Sequence, residues 1–288
     1  MTCPCRRGNR SVAPPGRDAV SPRCRTEDIV MPAVTLPGVN LWYTDTGGTG
    51  TPVILLHAAS GTCESWPYQL PAFTAAGYRC IAYDRRGWGR SRPLSPDAPP
   101  GSVSADLHGL VTHLGLERFH LIGTAAGGIG GLDYTVEHPE RVRSLVVANS
   151  IGGVQDPAYL TVQQRLRPPE IQHLPIALRE LGPSYRGTDP EGVQRWIAIE
   201  QTCHPDPHPH PTQQPRQPMT LARLATIQRP VLIIMGGADL LSPPALMRLL
   251  AAPIPQCQHA MLPEAGHAAF WEQPELWNRL VLEFVSQH

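Results

Sequence analysis

Two side chains suited to acid–base chemistry, Asp239 and His267, each follow an apolar run in the last third of the chain. Asp239 ends Gly236-Gly237-Ala238-Asp239, and His267 ends Pro263-Glu264-Ala265-Gly266-His267. A histidine near its ordinary pKa of about 6.5 can accept a proton at neutral pH. A carboxylate on its far ring nitrogen fixes the tautomer and stabilises the imidazolium that forms. The pair predicts a general base, and a structural histidine beside a turn aspartate is the alternative.

A third segment has the form of the sharp turn that lifts a nucleophile above a strand, but its central residue is alanine. The apolar run Phe119–Ile122 leads into Gly123-Thr124-Ala125-Ala126-Gly127-Gly128, where a G-x-S-x-G elbow would place serine at position 125. Ala125 has no atom that can attack a carbonyl. Candidate substitutes on other loops are Ser60, Cys63 and Ser150, although each is more typical of an ordinary loop residue.

The composition limits the classes of function. The formal net charge is zero, so no global field attracts nucleic acid or an anionic membrane, and we predict neither as a partner. All 24 basic residues are arginine, which excludes chemistry that depends on a lysine amine. No apolar run approaches the roughly 20 residues of a spanning helix. The seven cysteines are an odd number without paired spacing, which indicates a reduced, cytoplasmic setting.

Short apolar runs alternate with helical segments along most of the chain. This order predicts an α/β fold, with a mostly parallel, doubly wound sheet. The predicted strands are Val34–Leu36, Val39–Tyr43, Pro52–Leu56, Tyr78–Tyr83, Phe119–Ile122, Val142–Ala148, Val231–Met235 and Gln258–Leu262. The predicted helices are Trp66–Ala76, Val103–Leu114, Ile129–Glu137 and Pro274–Val285. Sites in such sheets form at the carboxyl ends of the strands, and the residues at those ends are His57, Asp84, Ala125 and Asn149-Ser150.

The chain divides into a tail, a sheet domain and an insertion. Residues 1–30 are rich in Arg, Pro and Ser and are expected to be a disordered tail, or to precede a true start at Met31. Residues 31–150 and 227–288 hold the sheet, and residues 151–226 are expected to form a helical cap. His204, His208 and His210 alternate with prolines that hold the segment extended, which spaces them poorly for one ion. We therefore predict neither a metal nor a cofactor.

Several motifs in this order resemble those of the α/β-hydrolase superfamily, in the subgroup with a helical cap. The motifs are His57-Ala-Ala, Asp84-x-Arg-Gly-x-Gly-x-Ser91, Gly123-x-Ala125-x-Gly127-Gly128, Gly236-x-x-Asp239 and Gly266-His267. Each motif is weak alone, and their common order and spacing support the fold. The resemblance covers residues 34–150 and 227–288.

The resemblance implies a role for each matching residue. Asp239 matches the acid and His267 the base of a catalytic triad, with Ala125 at the nucleophile position. The backbone amides of Ala59 and Ala126 correspond to an oxyanion hole. Asp84 and Arg86 are expected to be a turn cap and a loop anchor. Residues expected to bind substrate are His57, Ser150 and Trp196. Tyr159, Leu174, Ile176 and Ile197 would line the pocket beside Trp196, or these five would form the cap's own core.

Three functions agree with these residues. The first is an enzyme on a small, largely apolar carbonyl or ester substrate, in which the His267–Asp239 dyad acts as a general base without a covalent intermediate. The second is a serine-type esterase whose nucleophile was replaced or lost. The third is a binding protein that retains only the pocket. We favour the first, because a pure binder has no need of the dyad. The substrate's identity and the oligomeric state stay open.

Overall fold

The computed structural model describes residues 32–204 and 213–288, and a mostly parallel β-sheet runs through its centre. The predicted tail, and His208 and His210, lie outside the described residues. The described strands are β1 (Ala33–Leu36), β2 (Val39–Asp45), β3 (Pro52–Leu56), β4 (Arg79–Tyr83), β5 (Arg92–Pro93), β6 (Phe119–Thr124), β7 (Val142–Ala148), β8 (Val231–Gly236) and β9 (Cys257–Leu262). Their order is β1-β2-β4-β3-β6-β7-β8-β9, with β5 paired to β2.

The strands from β4 to β9 in this order pair in parallel, whereas β1 and β2 pair in antiparallel fashion. Both faces of the parallel strands are buried, because side chains alternate between two apolar cores. In β3, Ile54 and Leu56 enter one core, and Val53 and Leu55 enter the other. Such strands are therefore continuous apolar runs in the sequence.

Helices cover both faces of the sheet. They are α1 (Gln69–Ala75), α2 (Val103–His113), α3 (Ala126–Glu137), α9 (Pro244–Ala251), α10 (Ala269–Glu272) and α11 (Pro274–Val285). The first core, which contains Ile54 and Leu56, also contains residues of α2, α3 and α9. The second core, which contains Val53 and Leu55, also contains residues of α1 and α11. The predicted α/β architecture is confirmed. Ser102 caps α2, with its Oγ accepting a hydrogen bond from the Ala105 amide.

A set of helices lies between β7 and β8, in the region expected to be a cap. These helices are α4 (Pro157–Leu166), α5 (Ile176–Glu180), α6 (Pro183–Thr188), α7 (Pro190–Cys203) and α8 (Leu221–Leu224), with a 3-10 turn at Pro169–His173. Proline occupies the first turn of α4, α6 and α7, where its missing N–H costs no hydrogen bond. Among the described helices, none combines the length and the apolarity needed to span a bilayer.

Candidate active site

The turn between β6 and α3 has the backbone shape of an elbow. Ala125 has φ +50° and ψ −114°, a conformation that costs free energy in a residue with a Cβ atom. Two hydrogen bonds hold it: the Ala125 amide donates to the Ala148 carbonyl at 2.9 Å, and the Ser150 hydroxyl donates to the Ala125 carbonyl at 2.6 Å. The strained turn is therefore present although its tip carries only a methyl group.

Glycines let α3 pass close to the sheet beside this turn. A Cβ atom on Gly123 would collide with the backbone of Gly127, and a Cβ atom on Gly127 would collide with the Leu56 carbonyl. The small residues that the sequence shows around Ala125 are thus required by backbone contacts of the turn.

The predicted dyad is assembled at the ends of β8 and β9. His267 Nδ1 lies 3.0 Å from both Asp239 Oδ1 and Oδ2. Asp239 Oδ1 also accepts from the amides of Leu241 and Ser242, at 2.8 and 2.9 Å, and Oδ2 accepts from Asn149 Nδ2 at 3.0 Å. These donors fix the carboxylate, so the imidazole has a defined partner and His267 Nε2 is left for chemistry.

Opposite pKa shifts accompany this contact. Burial alone would raise the pKa of Asp239, but the charge of His267 and hydrogen bonds from His267, Asn149 and Ser242 lower it. Burial alone would lower the pKa of His267, but the Asp239 charge and hydrogen bond, with a contribution from Glu180, raise it. Asp239 therefore stays ionised, and His267 is a stronger base than an isolated imidazole.

The two amides assigned to an oxyanion hole face the same cavity as His267. Ala59 and Ala126 both line it, and neither amide donates a hydrogen bond to another residue in the described part of the chain. The Ala59 loop is held from behind, because Trp88 Nε1 donates to the Ala59 carbonyl at 2.7 Å. Fixed, unpaired amides of this kind can stabilise a developing oxyanion.

The cavity has a volume of about 210 Å³ and lies between the elbow and the cap. Its sheet-side wall includes Ala125 and His267. Its cap-side wall includes four polar side chains, those of Arg167, Gln172, Arg179 and Glu180. Tyr159 and Trp196, which the sequence suggested as apolar lining, do not line this cavity. Tyr159 belongs to one apolar core of the sheet and Trp196 to the other.

Glu180 links the cap to the loop that carries His267. Its carbonyl accepts from the amides of His267 and Ala268, at 2.7 and 3.1 Å. Its carboxylate Oε2 accepts from Ser60 Oγ at 2.7 Å and from Trp196 Nε1 at 3.2 Å. Burial raises the pKa of this carboxyl, against the opposing effect of His267. The end of α5 thus fixes the backbone that carries the base.

The three residues expected to bind substrate lie behind the cavity wall. His57 is fully buried, with Nε2 accepting from the Arg85 amide at 3.0 Å and Nδ1 donating to the Ala58 carbonyl at 2.6 Å. Burial lowers the pKa of His57, so it is neutral and orients the Ala58–Ala59 loop. Ser150 holds the elbow carbonyl, and Trp196 contacts Glu180. Each of the three contacts a residue that lines the cavity, namely Ala58, Ala125 and Glu180.

Asp84 and Arg86 make the structural contacts expected of a turn cap and a loop anchor. Asp84 accepts from the amides of Cys63 and Arg90, each at 2.7 Å, and so caps two loops. Arg86 makes a two-point ion pair with Asp106, with distances of 3.0 and 2.7 Å.

Five residues of the site carried no recognisable motif: Asn149, Arg167, Gln172, Arg179 and Glu180. Asn149 has φ +49° and bridges Asp239 and the Gly266 carbonyl, each at 3.0 Å from its Nδ2. Its position at the end of β7 was the available signal, because asparagine tolerates positive φ at strand ends. The other four lie in the cap, where only the close spacing of polar and charged residues before a short helix could have marked them.

The chain is similar in sequence and in structure to several known proteins. The model of the alpha/beta hydrolase family matches residues 53–280. A Mycobacterium tuberculosis protein named as a candidate non-heme bromoperoxidase (BpoC) is 31% identical over 266 residues, which cover 86% of this chain and 98% of that protein. The 2-hydroxy-6-oxononadienedioate/2-hydroxy-6-oxononatrienedioate hydrolase 2 of Pseudomonas putida is 31% identical over 264 residues, which cover 86% of this chain and 92% of that one. A thermophilic esterase from Thermogutta terrifontis, solved with malate bound, has a TM-score of 0.70 and 25% identity, covering 90% of this chain and 98% of that structure.

Proposed function

Because the chain belongs to the alpha/beta hydrolase family, we propose that it is a hydrolase in which His267 acts as a general base directly on water. The observation that carries the proposal is the complete dyad beside an elbow without a nucleophile. His267 Nδ1 is bound to Asp239 at 3.0 Å, and His267 and Ala125 line one cavity. The proton acceptor, His267, therefore lines the same cavity as residue 125, where a serine would carry the attacking hydroxyl.

The reaction needs no group other than those of the site. The substrate carbonyl lies above Ala125, with its oxygen toward the amides of Ala59 and Ala126. His267 Nε2 takes a proton from a water molecule as the water oxygen bonds to the carbonyl carbon, and the carbonyl electron pair moves to its oxygen. The carbonyl then re-forms and the bond to the leaving group breaks, and His267 returns the proton to that group, an alkoxide from an ester or the carbon of an enolate from a 1,3-diketone. Asp239 stabilises the intermediate imidazolium.

The intact positioning groups favour this mechanism over a serine esterase that lost its nucleophile. Removing the nucleophile of a triad costs on the order of 10⁶ in turnover, although pocket and oxyanion hole retain roughly 10³–10⁴ over water. Here Asn149, the Leu241 and Ser242 amides and the Glu180 carbonyl still hold the dyad. A chain that only binds ligand gains nothing from that arrangement.

The names of the relatives support a carbonyl or ester substrate. The Pseudomonas putida relative is named as a hydrolase of an oxononadienedioate, and the Thermogutta terrifontis structure is an esterase. We therefore place the substrate of this chain among small esters and 1,3-dicarbonyl compounds. The volume of the cavity limits it to a small molecule.

The test compares the full chain with three variants: Ala125→Ser, His267→Ala and, as a matched control, His113→Ala. His113 is an exposed histidine at the end of α2. Activity is measured on p-nitrophenyl esters and on a panel of 1,3-diketones. We expect the parent and the His113→Ala variant to be equally active. We expect His267→Ala to lower kcat/KM at least about 100-fold, as loss of a general base does.

A fluorophosphonate probe, which labels activated serines, separates the mechanisms. We expect no labelling of the parent, and activity without a pre-steady-state burst. Ester turnover that appears only in the Ala125→Ser variant, together with labelling of Ser at position 125, would identify a serine esterase without its nucleophile. Tight binding of these compounds without turnover in any variant would identify a binding protein. Either result would overturn the proposal.

A further inference from the structure

The cap-side wall of the cavity carries two guanidinium groups, from Arg167 and Arg179. Both come from short cap segments, Arg167 from the end of α4 and Arg179 from α5. A guanidinium offers five donors in a planar fork that matches a carboxylate. Two of them opposite the elbow place positive charge on one wall of a cavity whose lining is otherwise mostly apolar.

Arg167 is held in position by a neutral partner. It is half-buried, and in the amide orientation that satisfies both sides, the Gln172 side-chain oxygen accepts from Arg167 at 2.7 and 3.2 Å. Within the described part of the chain, Arg167 forms no ion pair. Burial lowers the pKa of Arg167, against the attraction of Asp239, yet a guanidinium stays charged at neutral pH. A positive charge therefore faces the cavity without a carboxylate bound to it.

Arg179 has one acidic neighbour at ion-pair distance, Glu180. Its NH1 donates to the Gln172 backbone carbonyl at 3.1 Å, while its NH2 lies 3.8 Å from Glu180 Oε1, beyond hydrogen-bond distance. Its Nε is buried and has no hydrogen-bond partner among the described residues. Gln172 thus contacts both arginines, with its side chain on one and its carbonyl on the other, and brings the two cations to one wall.

The acids near this wall are occupied by other groups. Asp239 accepts from His267, Asn149 and two backbone amides. Glu180 Oε2 accepts from Ser60 and Trp196. Among the described residues, no hydrogen bond joins either carboxylate to the guanidinium groups, and Glu180 Oε1 makes only a 3.8 Å ion pair with Arg179. An external anion can supply such hydrogen bonds at the cost of displacing water, and beside partly buried guanidinium groups these charge-assisted hydrogen bonds are stronger than in bulk water.

We propose that Arg167 and Arg179 bind a carboxylate of the substrate, so that the natural substrates are acids whose reacting carbonyl lies several bonds from that carboxylate. The inference rests on the proposed function, since it assigns the second end of the same substrate. The carbonyl is placed at Ala125 and His267, and the carboxylate at the cap. The cap thus selects anionic esters or keto acids over neutral ones of equal size.

A binding experiment tests the recognition without turnover. Succinate and glutarate are titrated into the full chain by calorimetry, with the uncharged diamides as controls. We expect the dicarboxylates to bind and to raise Tm, and the diamides to do neither. Arg167→Gln and Arg179→Gln should each weaken binding about 10- to 100-fold, the range expected for loss of a charge-assisted hydrogen bond. Arg165→Gln is the matched control, because Arg165 lies on the same helix and is exposed.

A kinetic experiment tests the consequence for catalysis. Mono-p-nitrophenyl glutarate carries a free carboxylate, and p-nitrophenyl butyrate is its neutral counterpart. We expect the parent to prefer the acid by about 10-fold or more in kcat/KM. Each arginine variant should raise KM for the acid and lower the preference for the acid over the neutral ester in kcat/KM by about 10-fold or more. A merely structural role would instead lower the activity on both substrates together.

The outcomes separate this inference from the proposed function. Equal binding of dicarboxylates and diamides, or unchanged binding in both arginine variants, would overturn the carboxylate site even if His267-dependent turnover of neutral esters is found. Arginine-dependent binding of dicarboxylates without turnover of any substrate would support the site and overturn the hydrolase proposal. A lower Tm of an arginine variant before ligand is added would indicate misfolding. In that case, the Arg167→Lys and Arg179→Lys variants, which keep the positive charge, show whether charge restores binding of the dicarboxylates.

Discussion

The availability of His267 as a base depends on Asp239. The carboxylate, 3.0 Å from Nδ1, outweighs the effect of burial and raises the pKa of His267. An imidazolium cannot accept a proton, so the rate of base-driven hydrolysis rises with pH through this raised pKa and levels off above it. We therefore expect the acid limb of the pH profile of kcat/KM to lie above pH 6.5, the ordinary value for histidine.

Replacing Asp239 by asparagine separates charge from shape. Asp239→Asn removes the negative charge that raises the pKa of His267, so the acid limb of the profile should move to lower pH. The rate on the plateau should fall by about 10³–10⁴, because an amide favours the wrong imidazole tautomer. The measurement is kcat/KM between pH 5 and 9. Asp97→Asn, at an exposed position, is the control, and an unchanged acid limb in Asp239→Asn would show that another group limits the rate.

Residues of the site were predictable where a motif fixes the backbone around them. Asp239, His267, Ala125 and the amides of Ala59 and Ala126 all follow strands that are plain in the sequence. The structure brings them to one cavity or one hydrogen-bonded pair. The cap wall was not predictable in this way. The cap segments reach the cavity through tertiary packing, and a short helix such as α5 shows no pattern that tells which side chains turn inward.

Among the elements, the turn from β6 into α3 sets the backbone position of Ala126, whose amide we propose to be part of an oxyanion hole. Gly127 packs against the end of β3, and a Cβ atom there would collide with the Leu56 carbonyl. Gly127→Ala should therefore force backbone atoms apart and lower the free energy of unfolding by about 3 kcal/mol or more. Urea denaturation followed by circular dichroism measures this loss.

Gly187→Ala is the matched control for that substitution. Gly187 lies in α6, and a Cβ atom there has no neighbour within 4 Å. Alanine has the higher helix propensity, so this change should be neutral or stabilise by up to about 1 kcal/mol. Equal effects of the two substitutions would show that the close packing of α3 on β3 is not what requires glycine at the elbow.

All eight predicted strands agree with the observed bounds to within two residues, whereas two of the four predicted helices start three residues away from the predicted position. β7 and α11 agree with the prediction, because continuous apolar runs and a proline at the first turn define them. Helix α3 begins three residues before the predicted Ile129, since the sharp turn at Ala125 lets helical hydrogen bonds start at once. Helix α1 begins at Gln69 and not at Trp66, after the 3-10 turn Cys63–Ser65 and Pro67.

At the scale of the whole molecule, hydrogen bonds join the cap to the loop that carries the base. Glu272 accepts from the Gly266 amide at 3.0 Å and from the Gly182 amide, between α5 and α6, at 2.9 Å. The Glu180 carbonyl accepts from the His267 amide at 2.7 Å. Displacing the cap would therefore also remove partners from the loop that carries His267, so cap and base are expected to move together.

An aromatic cluster extends this connection into the second core. Trp196 of the cap lies 5.9 Å from Phe270, which lies 4.8 Å from Trp66 and 6.2 Å from Trp277, measured between ring centroids. Phe73 of α1 stacks on Trp277 at 6.4 Å. Contacts of this kind add about 0.5–1.5 kcal/mol each beyond the area they bury. The cluster thus ties α1, α11, the cap and the segment after His267 into one unit.

This continuity predicts that cap and sheet unfold in one transition. Trp277 is fully buried at the centre of the cluster, so Trp277→Ala should lower the free energy of unfolding by about 3–5 kcal/mol. Circular dichroism reports the whole chain and pulse proteolysis reports the cap, and both midpoints should move together. Leu249→Ala, at a half-exposed position on α9, should cost under about 1 kcal/mol. Two separate transitions, only one of them shifted by Trp277→Ala, would mean that the cap folds independently of the sheet.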